Sequence, residues 1–194
     1  MHQVNSLNKE SFYPLSPILW KLYRKGIFMA KTALKGTPVS LAGAELAVGD
    51  LAPSVTVVGK DLSEITVGGA KGKTQLLIVV PSLDTAVCAS ETRKFNVEAA
   101  KTEGVEVTVI SMDLPFAMGR FCTTEGIENL AVGSDFRNKA FANAYGVLLA
   151  DGPLAGVTCR AIFVVDAQGK ITYKEIVPEI TAEPNYDAAL SALK

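Results

Sequence analysis

The stretch Gln75-Leu-Leu-Ile-Val-Val-Pro-Ser-Leu-Asp-Thr-Ala-Val-Cys88 constrains the fold more than any other part of the chain. Lys73 to Val80 reads as a strand with both faces apolar, so it needs cover above and below, the condition of a sheet centre. Pro81 ends the strand, because it has a fixed φ and no N–H to donate to a ladder. Polar turn residues follow, and Cys88 then falls in the first turn of a helix predicted to reach about Lys101, with Gly104 closing it. A thiol at that place meets the unpaired N–H groups and the positive end of the helix dipole. Both favour the thiolate, the reactive form of cysteine. The position suggests a nucleophile rather than a packing residue.

Elsewhere the periodicity alternates between strand and helix. Thr37 to Gly43 predicts an N-terminal hairpin, and Ser54–Val58 and Ser63–Val67 a strand pair around the Gly59-Lys-Asp61 turn. Val105–Ser111 is a second buried strand, and Leu114–Phe121 a short helix. Leu130–Gly133 predicts a strand and Asn138–Tyr145 a helix closed by Gly146. Arg160–Val165 and Ile171–Val177 pair across the Asp166-Ala-Gln-Gly169 turn, and Asn185–Leu193 is a closing helix. Strands alternating with helices, with antiparallel pieces at each end, predict a three-layer α/β fold. Residues 29–194 are expected to form this domain. Residues 1–28 lack a clear period and the order of a secretory signal, so they are expected to be a disordered extension or upstream sequence outside the native protein, which would then start at Met29.

Composition removes several kinds of chemistry. At 194 residues, with 48% hydrophobic and 20% charged, the chain suits one globular domain. Its net charge of −1 gives no electrostatic case for nucleic acid or an anionic membrane. No apolar run approaches the roughly 18–20 residues of a spanning helix, so a soluble protein is expected. The only histidine is His2, in the extension, which takes away histidine bases, Cys-His pairs and histidine zinc sites. Cys88, Cys122 and Cys159 lie 34 and 37 positions apart, so no CxxC pair exists. Cys88 is therefore activated by neither histidine nor metal.

The order strand, Pro81, Thr85-Ala-Val-Cys88, helix resembles the active-site pattern of peroxiredoxins, and further blocks narrow this to the bacterial thiol peroxidases. They are Pro81-Ser-Leu-Asp-Thr-Ala-Val-Cys88, Thr92-Arg-Lys-Phe-Asn96, Asp113-Leu-Pro-Phe-Ala117, Arg120-Phe-Cys122, Phe136-Arg-Asn138, Ala150-Asp-Gly-Pro-Leu154 and Glu179-Ile-Thr-Ala-Glu-Pro-Asn-Tyr186. A lone TxxC is weak evidence of kinship; seven blocks in order are not. The resemblance spans about Lys31 to Lys194. It implies a thioredoxin-like fold in its peroxiredoxin variant, a central mixed sheet flanked by helices with an N-terminal β-hairpin.

It also implies roles. Cys88 matches the peroxidatic cysteine, which becomes a sulfenic acid on reducing hydrogen peroxide or an organic hydroperoxide. Thr85 would direct its hydroxyl at sulfur and peroxide; read alone, it or Asp84 is a helix N-cap. Pro81 would shape and dry the pocket; read alone, it ends a strand. Arg160 would hold its permanent charge beside the sulfur, although an arginine opening an apolar strand is otherwise a solvated edge residue. Cys122 matches the resolving cysteine, which forms an intramolecular disulfide with Cys88, and Gly119 and Gly126 would ease the required unwinding. Cys159 should face away from Arg160, its neighbour in a strand, as a small core residue. Phe116, Met118 and Phe121 offer apolar surface near the pocket, and Arg93 either contacts the pocket or a partner or is solvated. No metal or organic cofactor is implied. Thioredoxin is the expected reductant, a homodimer the expected assembly, and the cytoplasm the expected compartment. A peroxide sensor or chaperone on the same scaffold is the rival reading.

Overall fold

The computed structural model describes residues 31–193, so the expectations for residues 1–28 and for a start at Met29 lie outside the described residues. Among the described residues, ten strands and four helices follow in chain order. The strands are β1 (Lys31–Leu34), β2 (Thr37–Ala42), β3 (Val55–Gly59), β4 (Glu64–Val67), β5 (Thr74–Val79), β6 (Val105–Ser111), β7 (Ala131–Ser134), β8 (Leu148–Leu149), β9 (Ala161–Val165) and β10 (Ile171–Ile176). The helices are α1 (Ala86–Ala99), α2 (Pro115–Glu125), α3 (Ala140–Ala144) and α4 (Tyr186–Ser191).

Seven strands form the main sheet in the order β10-β9-β5-β6-β7-β3-β4, with β5 in its interior, paired on both sides, as the apolar run predicts. β5, β6 and β7 run parallel to their neighbours in that trio, so each step needs a crossover, and α1 and α2 supply them. β9 and β3 join antiparallel and carry the hairpin partners β10 and β4 at the two edges. A second sheet of β1, β2 and β8 completes the fold.

Side chains of β5 alternate between two cores. Leu77 and Val79 join Phe163, Phe141, Tyr145 and the β2 residues Val39 and Leu41 on one face. Leu76 and Ile78 join Ile162, Val164, Phe95 of α1 and Met118 of α2 on the other. Each such side chain, fully buried, is worth about 1.5–3 kcal/mol against exposure. Gln75, also buried, is satisfied locally: its side-chain carbonyl accepts from the Gly68 N–H at 2.9 Å and its amide donates to the Gly69 carbonyl at 2.9 Å. Gly68 itself has φ +73°, and a Cβ there would lie 2.1 Å from both the Pro53 carbonyl oxygen and the Tyr145 hydroxyl. No other residue fits.

Three elements differ from the sequence expectation. The N-terminal hairpin is β1 with β2, turning at Lys35-Gly36, so Thr37 to Gly43 supplies only its second strand. The two-residue β8 was not foreseen; it is too short to carry a period and exists because β2 offers an edge to pair with. Helix α2 runs one turn beyond Phe121, to Glu125, and stops at Gly126 in the left-handed conformation, φ 65°. Cys122 therefore lies within the helix.

Candidate active site

Helix α1 places Cys88 as its third residue, and the first intrahelical bond runs from the Ala89 N–H to the Thr85 carbonyl at 2.9 Å. The N–H groups of Ala86, Val87 and Cys88 therefore have no helical acceptor, and the positive end of the dipole lies at the thiol. Cys88 is only 1% exposed and packs in the core face that contains Leu83, Met118 and Cys122.

Arg160, immediately before β9, reaches the sulfur with its guanidinium. Its Nη2 donates to Cys88 Sγ at 3.4 Å, its Nη1 pairs with the Glu91 carboxylate, and its Nε donates to the Ile180 carbonyl at 3.0 Å. A guanidinium bound on three sides is held in one orientation, and only 2% of Arg160 is exposed. Burial alone would weaken its hold on the proton, but the charges of Glu91 and Cys88 outweigh burial and raise its pKa further. Glu91 is wholly buried, and burial pushes its carboxyl up to about 7 against the pull of Arg160. The Glu91 Oε1, the Thr92 hydroxyl and the Tyr186 hydroxyl are buried without a protein partner.

The remaining expected residues divide. Pro81 is buried at the end of β5, just beyond Val80, whose carbonyl accepts the Thr158 hydroxyl at 2.7 Å. Thr85 occupies the N-cap position but does not cap with its side chain; nor does Asp84. The Thr85 hydroxyl is exposed and donates to the Ser82 carbonyl at 3.1 Å rather than to Cys88. Cys122 is 4% exposed, on the same face of α2 as Met118 one turn earlier, and burial pushes its thiol up. All three cysteines are free thiols. Cys159 lies in the other core, with Leu77 and Phe163, and burial pushes its thiol up to about 12. Cys159 and Arg160, adjacent in the chain that leads into β9, face different cores, Arg160 toward Cys88 and Cys159 away from it.

Beside the Cys88 loop a cavity of about 270 Å³ opens between Leu83 and the Ala117, Phe121 and Thr124 stripe of α2, with Arg120 and Asp113 at its wall. Of the three apolar residues expected there, only Phe121 lines it; Met118 is core and Phe116 is 70% exposed. Arg93 pairs with Glu125 of α2 at 2.8 Å. Glu91 is the residue the sequence reading missed. Its signal was spacing, since three residues after Cys88 on a helix is the same face.

A buried thiol at a helix N-terminus beside a fixed guanidinium is built to carry negative charge on sulfur, and comparison with known proteins tells which chemistry that serves. A family model described as Redoxin matches residues 47–190. A thiol peroxidase of Aquifex aeolicus is 55% identical over 86% of this chain and 98% of its own length. One from Leptospira interrogans is 54% identical over 84% and 97%. The chain belongs to the thiol peroxidases.

Solved structures agree. This thiol peroxidase fold superposes on the crystal structure of a peroxiredoxin-like protein from Aquifex aeolicus with a TM-score of 0.81 and 54% identity, covering 84% of this chain and 95% of that one. A thiol peroxidase from Chromobacterium violaceum, only 23% identical, shares the fold with a TM-score of 0.76 over 84% and 94%. The expected peroxiredoxin architecture is thus present, and the enzyme is an oxidoreductase acting on peroxides. None of its described helices is long and apolar enough to cross a membrane.

Proposed function

We propose that the enzyme reduces hydrogen peroxide and organic hydroperoxides through a two-cysteine cycle within one chain. The Cys88 thiolate attacks one peroxide oxygen, forming an S–O bond while the O–O bond breaks. The electron pair departs with the second oxygen, which takes a proton and leaves as alcohol or water. Sulfur is oxidised by two electrons and the peroxide is reduced by two. Cys122 then attacks the sulfenic sulfur, an S–S bond forms and water leaves. A thioredoxin dithiol returns both cysteines to thiols.

The contact between Arg160 Nη2 and Cys88 Sγ, made where water is excluded, is the observation that carries this reading. A permanent cation there stabilises the thiolate and the departing oxygen without giving up its own proton. Pro81 closes the pocket floor with no N–H to offer, and the Thr85 hydroxyl turns from Ser82 to the peroxide as substrate enters. Arg160→Ala is expected to cripple turnover and Cys88→Ser to abolish it.

Three further parts complete the proposal. Residues 29–194 act as one catalytic domain. The enzyme is a homodimer, a reading supported by the exposed Leu114, Phe116 and Phe136 on neighbouring segments, which the Ser134 hydroxyl joins by its bond to the Asp113 carbonyl. It works in the cytoplasm, where free functional cysteines stay reduced.

A non-reducing peptide map after one equivalent of cumene hydroperoxide tests the cycle. A Cys88–Cys122 cross-link at monomer mass is the expected product. Sulfenic or sulfinic Cys88 with untouched Cys122 would instead favour the sensor, a reading that the depth of Cys122 and its raised thiol pKa keep in view. Reduced Cys88 would end both.

A further inference from the structure

Asp113 stands between β6 and α2, just ahead of the helix that carries Cys122. Its carboxylate accepts three hydrogen bonds. Ser82 Oγ donates to Oδ1 at 2.7 Å, and the Leu83 N–H and Ser111 Oγ both donate to Oδ2 at 2.7 Å. Ser82 in turn organises the turn into α1, because its hydroxyl accepts the Asp84 N–H at 3.2 Å and its carbonyl accepts the Thr85 hydroxyl. One side chain thus ties the loop leading to Cys88 to the segment leading to Cys122.

The other end of α2 is tied to the body of α1. Asn96 Oδ1 accepts the N–H groups of Glu128 at 3.1 Å and Asn129 at 2.9 Å, and Arg93 pairs with Glu125. The two thiols sit between these fastenings. No hydrogen bond joins the two sulfurs among the described residues, and a disulfide needs an S–S bond of about 2 Å with Cα atoms within roughly 7 Å. Both are free thiols in this conformation, and the proposed cycle is taken to close them by moving one or both cysteine segments. Unwinding the first turn of α1 drags Ser82 and Leu83; unwinding α2 drags the backbone that follows Asp113. Either motion pulls on the same carboxylate.

We propose that Asp113 is a positioning residue that latches the Cys88 loop to the Cys122 helix, and that its release limits disulfide formation. This rests on the two-cysteine cycle proposed above. While the latch holds, sulfenic Cys88 is exposed to a second peroxide. That peroxide adds an oxygen to sulfur, giving sulfinic acid and leaving as alcohol, so sulfur is oxidised by two more electrons as the peroxide is reduced. Latch strength therefore sets how the sulfenic acid divides between disulfide, formed with loss of water, and sulfinic acid, a dead end.

The experiment is quenched-flow mass spectrometry of the full chain over a series of cumene hydroperoxide concentrations, scoring disulfide against sulfinic Cys88. Asp113→Asn turns an amide donor toward the Leu83 N–H or the Ser82 hydroxyl, and Ser82→Ala removes one strut more gently. Each should quicken disulfide formation about tenfold, the worth of one hydrogen bond to a charged acceptor, and shift half-maximal sulfinic acid to about tenfold higher peroxide. Ser111→Ala removes a bond that does not cross between the two segments and should keep the wild-type division. An unchanged division in Ser82→Ala, with only a lower melting temperature, would overturn the latch and leave the two-cysteine cycle standing. A wild-type chain that never forms the Cys88–Cys122 disulfide would overturn the cycle and the latch with it.

Discussion

Glu91 shares Arg160 with the sulfur, and its proton therefore decides how much of that cation the thiolate sees. Its carboxyl titrates at about 7 in the folded chain against an ordinary 4.5. The unfolded carboxyl loses its proton first, so the stability Glu91 contributes is fully present below about 4.5. It falls as pH rises through the window and is lost above about 7. Glu91→Gln removes this dependence. The stability difference between wild type and Glu91→Gln, read from urea unfolding at pH 5 and pH 8, should move against the wild type at the higher pH; a gap independent of pH would mean that the carboxyl is not raised. The position of Cys88 was legible because strand, proline and helix start are all local signals. The partnership of Glu91 with Arg160 was not, since 69 residues separate them and a single sequence carries no record of such contacts. Thr85 was legible only in part: its position at the helix start was readable, but hydroxyl orientation depends on a competition with the Ser82 carbonyl that only the folded loop decides.

Among the elements, α2 owes its placement to groups outside itself. Asn96 satisfies two backbone N–H groups beyond the helix end, at Glu128 and Asn129, and donates to the Gly126 carbonyl at 3.4 Å. Asn96→Ala leaves those groups without a partner in a half-buried corner. It should cost about 1–3 kcal/mol in thermal unfolding, and a loss under 0.5 kcal/mol would show that water replaces the side chain freely. The same helix explains why its end was misread. Thr123 and Thr124 are modest helix formers after Phe121, yet the Thr123 hydroxyl bonds back to the Gly119 carbonyl at 3.0 Å and Gly126 supplies the left-handed stop. The parallel trio and its crossovers were readable from buried strands alternating with helices. The pairing of β1 and β8 with β2 was not, because those strands are four and two residues long and take their conformation from the neighbour they meet.

At the scale of the molecule, segments far apart in sequence converge on the site. The N-terminal hairpin is bound to the segment after β10: Thr32 Oγ1 donates to the Val177 carbonyl at 2.7 Å, and the Ala33 N–H to the Pro178 carbonyl at 2.8 Å. Ile180 donates its N–H back to the Ala33 carbonyl, and its own carbonyl is the one that Arg160 Nε holds. Glu179 fastens the turn, accepting from the Lys35 and Gly36 N–H groups and from Thr181, and these bonds pull its carboxyl down to about 2. A depressed carboxyl stabilises above its ordinary 4.5 and loses that contribution as pH falls through about 2. Glu179→Gln should therefore flatten the acid limb of unfolding in that window, followed by circular dichroism; an acid limb identical to wild type would place the acid-labile group elsewhere.

Cys159, sealed in the core opposite the chemistry, acts as a clock. An alkylating reagent reaches it only when the protein opens: in the folded core the thiol is buried and pushed up to about 12, and opening removes the burial that causes the shift. In a chain whose other two cysteines are serine, the rate at which this thiol takes up label counts how often the native structure comes apart.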